Sequence, residues 1–255
     1  MLIARRWIVV AAILGELGLL VGQPQWLVAN WVKLGTLALP LLLAAGLWAR
    51  RRSDVPWTRD AQFLSVLMLA AYLVHQFEEH WIDVLGNQYA FFGYVNELLS
   101  GILSPGEPIE PLTPAAILVT NTALVWLVGV LAIAFSSRQL FPMLALGGVV
   151  AVNAVAHINA AIVTRTYNPG LLTAGVLFVP LAGFVYWQFL RRDRAVIWPA
   201  VTSLVWAILA HALMGVGVLG ANVFHLYPES WFFAALIAWS LVPVALYRPG
   251  KRWGF

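Results

Sequence analysis

The chain has 255 residues, of which 62% are hydrophobic and only 10% are charged. Soluble domains have about a quarter of their residues charged, so this composition excludes an ordinary soluble protein and predicts an integral membrane protein. The net charge of +4 does not indicate a nucleic-acid partner, because the basic residues fall in short segments between apolar stretches. The absence of cysteine excludes disulfide bonds, thiolate metal ligands and a cysteine nucleophile.

Apolar segments of about the length needed to cross a bilayer follow one another along the chain. Pro, Gly or charged residues separate most of them. The predicted spans are 6–23, 26–49, 61–85, 114–135, 139–164, 170–190, 197–220 and 231–247. They predict an all-α fold, a polytopic membrane helical bundle of about eight transmembrane helices that forms a single domain over residues 1–255.

The basic residues predict the orientation of this bundle. With the N-terminus in the cytoplasm, all Lys and Arg residues except Lys33 and Arg165 fall on the cytoplasmic side. Both termini are then cytoplasmic. The long segment 86–113, which carries Glu97, Glu107 and Glu110, lies on the outer face as a loop or a short interfacial helix.

Polar residues inside the predicted spans mark the candidate site, because ionisable groups are costly at membrane depth. At a helical rise of about 1.5 Å per residue, several of them fall in one layer of the outer half of the bilayer. The layer contains His75, Glu79, Asn153, His157 and His211. Asn121 lies at a similar depth, and we interpret it as an interhelical hydrogen-bonding residue.

The residue types and spacing in this layer are those of a metal site. His75 and Glu79 lie one helical turn apart and share a helix face, as do Asn153 and His157. Imidazole and carboxylate ligands together suit Zn²⁺ or Fe²⁺ better than Mg²⁺ or Ca²⁺. The predicted metal ligands are His75, Glu79 and His157, with Asn153 and His211 as further candidates. A hydrogen-bonded His75–Glu79 pair that only fixes helix packing is the alternative.

Three further groups of polar residues have predicted roles. Glu78 or Glu79 is a candidate catalytic acid or base, and Tyr167 is either a hydrogen-bond donor to the site or an interfacial residue. His80 and Asp83 are predicted to lie in a solvated helix end. Glu16 and Lys33, on the first two spans, are predicted to form an intramembrane ion pair.

Three motifs together resemble those of the HXXEE family of bacterial integral membrane proteins. They are the HxxEE motif over 75–79, the later His157, and the YxPG motif over 167–170. The resemblance implies a multi-pass protein of the bacterial inner membrane that is an enzyme of unknown function. The resemblance supports the choice of site residues but does not indicate which reaction the protein catalyses.

Three functions fit the sequence. The first is a metal-dependent hydrolase that acts on a membrane lipid or lipophilic small molecule, with Zn or Fe as cofactor. The second is a metal-free acid–base isomerase or cyclase of an isoprenoid-like lipid, with a site walled by aromatic residues. Those residues are Phe77, Trp81, Trp126 and Trp206. The third is a metal-ion or proton transporter, and the oligomeric state stays open.

Overall fold

The structure, a computed structural model, describes residues 2–105 and 108–246, with the backbone alone for residues 2–6. Glu107 of the outer segment and the C-terminal basic residues lie outside the described residues. Besides the short 3₁₀ turn Trp57–Arg59, the described residues form nine helices: α1 Leu2–Val21, α2 Gln25–Arg50, α3 Ala61–His80, α4 Ala90–Leu103, α5 Pro114–Phe135, α6 Phe141–Thr164, α7 Leu171–Leu190, α8 Arg194–Val223 and α9 Glu229–Ala245.

Each of the eight predicted spans coincides with one of these helices, which confirms the all-α prediction for the described residues. Five of the helices, namely α2, α5, α6, α7 and α8, are long and apolar enough to cross a membrane. Helix α3 is not among them, and its C-terminal half carries the polar residues of the candidate site. The number of spans and the orientation of the termini stay predictions.

Side-chain signals set several helix boundaries. Asp60 caps α3 by accepting a hydrogen bond from the Phe63 N–H at 3.0 Å. Thr113 caps α5 by accepting one from Ala116 N–H at 2.9 Å, and Pro114 fills the first turn, where its missing N–H costs little. Helices α5, α7 and α8 each contain a π-helical segment. Such segments are frequent at functional sites, and those of α5 and α7 directly follow Asn121 and Thr173.

The core joins α3, α6 and α7, with Met68, Leu144 and Phe178 fully buried at their contact. Helices α6 and α8 pack closely because Gly148 faces the Ser203 backbone, where a Cβ atom would lie 2.7 Å from the carbonyl oxygen. At one end of the bundle the start of α3 meets the end of α5. The candidate site lies at the opposite end, where α3 finishes.

The predicted outer segment contains helix α4, as expected for an interfacial helix. Asn96 fixes the return of the chain by donating to the Leu112 carbonyl at 3.1 Å and accepting from the Leu112 N–H at 2.8 Å. This helix therefore packs over the end of the bundle that holds the site. Its position at the membrane surface stays a prediction.

The predicted solvated helix end at Asp83 is wrong, because Asp83 is only 7% exposed. Helix α3 stops at His80, and the Asp83 carboxylate then organises a turn by accepting from the N–H groups of Leu85 at 2.9 Å and Asn87 at 2.8 Å. Burial alone would raise the pKa of Asp83, but the hydrogen bonds from Asn87 and Leu85 outweigh it and place that pKa below its ordinary value.

Replacement of Asp83 by alanine is expected to lower the free energy of unfolding by about 1 kcal/mol at neutral pH. A lowered pKa in the folded state means that the contribution is full above the unfolded pKa and is lost as pH falls through the folded one. The difference between wild type and Asp83→Ala in thermal midpoint should therefore hold at pH 6–8 and shrink below about pH 4. A difference that grows on acidification would contradict this role.

The predicted ion pair between Glu16 and Lys33 is also wrong. Helix α1 packs against α5, so that buried Glu16 accepts a hydrogen bond from the Thr122 hydroxyl at 3.1 Å. Lys33 instead donates to the Asn30 side chain at 3.2 Å and lies 5.8 Å from the centre of the Trp81 ring. The two helices are neighbours in sequence, but their ionisable groups face different partners.

Candidate metal centre

The structure brings His75, Glu79 and His157 together in the interior of the bundle. Their exposed fractions are 0%, 5% and 6%. One Glu79 carboxylate oxygen lies 3.2 Å from His157 Nε2, and the other lies 3.5 Å from His75 Nε2. One donor atom from each residue lies within 4.8 Å of the other two. The predicted pairing of α3 with α6 at this depth is therefore present in the fold.

Asn168 fixes the orientation of the His157 ring. Its amide nitrogen donates to the His157 backbone carbonyl at 3.0 Å, which identifies the other amide atom as the oxygen. That oxygen lies 2.6 Å from His157 Nδ1, so Nδ1 carries a proton and donates it. In a neutral ring, His157 Nε2 then presents a lone pair towards Glu79.

Thr173 fixes the His75 ring in the same way. Its hydroxyl donates to the Gly170 carbonyl at 3.2 Å and therefore accepts from His75 Nδ1 at 2.8 Å. His75 Nε2 is buried and has no hydrogen-bond partner within the described part of the chain. Both histidines thus use Nδ1 for orientation and leave Nε2 for the centre of the site, which is the usual arrangement of metal-binding histidines.

His80 is a member of this site that the sequence interpretation missed. It was assigned to a solvated helix end, but it is only 7% exposed, and its Nε2 lies 2.9 Å from a Glu79 oxygen. His80 is the last residue of helix α3, and the chain leaves the helical path at Trp81. The matching depth of Asn121 on α5 was the one available signal.

A chain of hydrogen bonds from α5 orients His80. Trp126 can only donate, and it donates to the Gln76 side-chain oxygen at 2.9 Å. The Gln76 amide nitrogen then donates to the Asn121 oxygen at 2.8 Å, which confirms the interhelical role predicted for Asn121. The Asn121 nitrogen donates to the Ile117 carbonyl at 3.0 Å and lies 3.2 Å from His80 Nε2. The same ring nitrogen lies 2.9 Å from a Glu79 oxygen, which can only accept, so His80 Nε2 is placed to donate to that carboxylate.

Glu78, the other carboxylate of the motif, has a different environment from Glu79. Its oxygens accept from the N–H groups of Leu172 at 3.1 Å and Thr173 at 2.8 Å, in the first turn of α7. A carboxylate at a helix N-terminus satisfies free N–H groups and interacts favourably with the helix dipole. Tyr167 completes the set by donating its hydroxyl to Glu78 at 2.9 Å.

These contacts bear on the catalytic roles predicted for Glu78 and Tyr167. Burial, followed by the hydrogen bond to Glu78, raises the pKa of Tyr167, so the phenol stays protonated and donates to that carboxylate. Neither residue lines the cavity beside the His75–Glu79–His157 group. Their observed contacts join α3 to the start of α7.

Gly170 closes the site from the side of the YxPG motif. Its φ of +94° favours glycine. A Cβ atom there would lie 2.7 Å from the His75 ring and 2.8 Å from the His157 ring, closer than atoms pack. Within the YxPG motif, Tyr167 thus donates to Glu78 and Asn168 accepts from His157. Gly170 allows the backbone to pack against both histidine rings.

The other predicted ligands, Asn153 and His211, lie in the wall of an adjoining cavity of about 310 Å³ that Glu79 and His157 also line. His211 donates from Nδ1 to the Ala207 carbonyl at 2.8 Å. The Asn153 side-chain oxygen is buried without a partner in the described part of the chain. His211 does not belong to the group of histidine and carboxylate donor atoms that lie within 4.8 Å of one another in the described part of the chain.

The aromatic residues predicted for a cyclase do not line this cavity. Trp126 hydrogen-bonds Gln76, Trp206 stacks on Trp239, and Phe77 packs against Trp81. The aromatic lining comes instead from Tyr72, Phe91 and Tyr94. The prediction was based on depth along each helix, and depth does not determine which side of the helix faces the cavity.

Residues 66–186 match the profile of a family described as "Protein of unknown function with HXXEE motif". The matched region contains every residue that holds or orients the buried His–Glu group. This segment, which is just under half of the chain, is therefore similar to the HXXEE family. Of the residues in the HxxEE motif, His75 and Glu79 lie in the buried His–Glu group, and Glu78 accepts hydrogen bonds from the start of α7. No curated protein and no solved structure matches the chain, and His211 lies beyond the HXXEE segment.

Proposed function

We propose that this protein is a metal-dependent membrane enzyme whose centre is held by His75, Glu79 and His157. The observation that carries the proposal is the direction of the hydrogen bonds. Asn168 and Thr173 occupy both Nδ1 atoms, so two imidazole lone pairs point at a carboxylate. Acceptors that face one another in a buried space repel unless a cation lies among them.

The chemistry of the donors supports Zn²⁺ or Fe²⁺ as that cation. His80 adds a third imidazole nitrogen beside Glu79, at a distance from which it can donate a hydrogen bond to the carboxylate and orient it. A divalent metal in such a site supplies Lewis-acid chemistry and lowers the pKa of bound water. Protonation of Nε2 in both His75 and His157 would also relieve the repulsion. Metal analysis distinguishes the two cases, because a protonated site would contain no metal.

The reaction that best fits this centre is hydrolysis of a lipid-like ester or amide. Glu79 and His157 line an apolar cavity, so a lipophilic substrate bound there would reach the metal-binding group. Glu78 and Tyr167 are engaged with α7, so we assign them positioning roles. We further propose that the protein is a multi-pass protein of the bacterial inner membrane, with both termini cytoplasmic.

The proposed reaction is tested with fluorogenic medium-chain esters and amides and the full chain in lipid nanodiscs. Hydrolysis should stop on chelation and return with Zn²⁺ or Fe²⁺ but not with Mg²⁺. Asn168→Ala should weaken metal binding by about 10- to 100-fold, because it releases the His157 ring. Its activity should therefore be recovered at high metal concentration. Hydrolysis that chelation leaves unchanged, or none in metal-loaded protein, would contradict the proposal.

A further inference from the structure

The cavity beside the metal centre carries polar groups that the centre does not use. Its volume of about 310 Å³ lies at the lower end of the range for small-molecule sites. Most of its wall is apolar, with Leu98 and Leu99 from α4 and Met214 and Val218 from α8. A molecule that fills this space must therefore be largely apolar.

Two polar side chains in this wall lack partners. The Asn153 oxygen and the Tyr94 hydroxyl are both buried, and neither has a hydrogen-bond partner in the described part of the chain. Buried polar groups are unfavourable unless they are paired. A carboxamide offers a donor or an acceptor according to its rotation, and a phenol offers both. The wall can therefore pair with a hydroxyl or an amide.

The same wall lacks a counter-charge for an ionic head group. Lys and Arg do not occur among the described residues that line it. Its carboxylate, Glu79, lies within 3.5 Å of three imidazole nitrogens. His211 donates from Nδ1 to Ala207 and so presents Nε2 as an acceptor. A phosphate group would be buried there without a cation from the side chains, which is strongly unfavourable.

We infer that this cavity binds an uncharged lipophile with one hydroxyl or amide group. Asn153 and Tyr94 hydrogen-bond that group, and the apolar part lies between α4 and α8. The inference rests on the proposed function, for which it names the class of substrate that reaches Glu79 and His157. It distinguishes alcohols and neutral amides from phospholipid head groups.

Competition against a photoreactive probe tests the inference. The probe is 1-decanol with a diazirine in its chain, added to full-length protein in phosphatidylcholine nanodiscs after metal removal. The competitors, compared at equal mole fraction in the bilayer, are 1-decanol, undecane and decyl phosphate. Mass spectrometry should locate the label on 90–103 and 211–219.

We expect 1-decanol to compete at about tenfold lower mole fraction than undecane, as two net hydrogen bonds predict. Decyl phosphate should compete no better than undecane. Asn153→Leu and Tyr94→Phe should each reduce the preference for the alcohol to about threefold. Tyr89→Phe is the matched control, because Tyr89 lies outside this cavity and is 45% exposed. It should keep the wild-type preference.

Equal competition by undecane and 1-decanol in wild type would overturn the inference, whatever the variants do. Better competition by decyl phosphate, or labelling elsewhere, would overturn it too. Because the protein is metal-free in this assay, the two proposals fail separately. An alcohol preference in a protein that never binds metal contradicts only the proposed function, whereas metal binding without that preference contradicts only this inference.

Discussion

Gly170→Ala is expected to destroy the proposed metal centre. The added Cβ atom would lie within 3 Å of both the His75 and His157 rings, and alanine would have to adopt a φ of +94°. Backbone strain alone costs about 1–2 kcal/mol, and displacement of two buried rings raises the expected loss in unfolding free energy to about 3 kcal/mol. Thermal unfolding and metal content, measured on the same sample, check both effects.

Gly183→Ala is the matched control for this substitution. Gly183 lies in α7, and a Cβ atom there meets nothing within 4 Å. Alanine in a helix interior is favoured over glycine by about 0.5–1 kcal/mol, so the control should keep or gain stability and keep its metal. A Gly170→Ala protein as stable as wild type, with full metal content, would refute the packing that we describe.

Glu78→Ala is expected to have an effect of similar size for a different reason. It leaves the N–H groups of Leu172 and Thr173 and the Tyr167 hydroxyl without their acceptor. The Thr173 contact is buried and the other two are partly buried. An unsatisfied buried donor costs about 1–3 kcal/mol and a partly buried one less, so the free energy of unfolding should fall by about 3 kcal/mol. Thermal or denaturant unfolding in a fixed detergent measures this loss.

Glu78→Gln separates the hydrogen bonds from the charge. It keeps one acceptor oxygen but places an NH₂ group against a backbone donor, so its loss should be smaller, about 1–2 kcal/mol. Glu97→Gln on α4 is the control, since Glu97 is exposed and should change stability by less than about 0.5 kcal/mol. If Glu78→Gln retained full stability, the role of Glu78 in holding α7 would be wrong.

The sequence predicted the elements and the centre of the site because these depend on regular geometry. A rise of about 1.5 Å per residue placed His75, Glu79 and His157 at one depth, and their polarity distinguished them from the apolar spans. The sequence did not predict that Asn168 and Thr173 orient the histidine rings, because both are uncharged and lie at the junction of α6 and α7. Their roles depend on where Nδ1 points, which spacing does not reveal.

The wrong predictions have two physical causes. His80 and Asp83 were assigned to solvent because α3 was expected to continue to residue 85, whereas it ends at His80 and the chain turns back over the site. Glu16 and Lys33 were paired because their helices are consecutive, although α1 packs on α5. In both cases tertiary contacts determined the outcome, and no local pattern carried that information.

Elemental analysis of protein purified without chelator tests directly whether His75, Glu79 and His157 hold a metal ion. Wild type, His75→Ala, His157→Ala and the control His225→Asn are compared; His225 is exposed and has a positive φ that asparagine tolerates. We expect one equivalent of Zn or Fe in wild type and in the control, and loss of that metal in both alanine variants. Folded wild-type protein without metal, or alanine variants that retain a full equivalent, would contradict it.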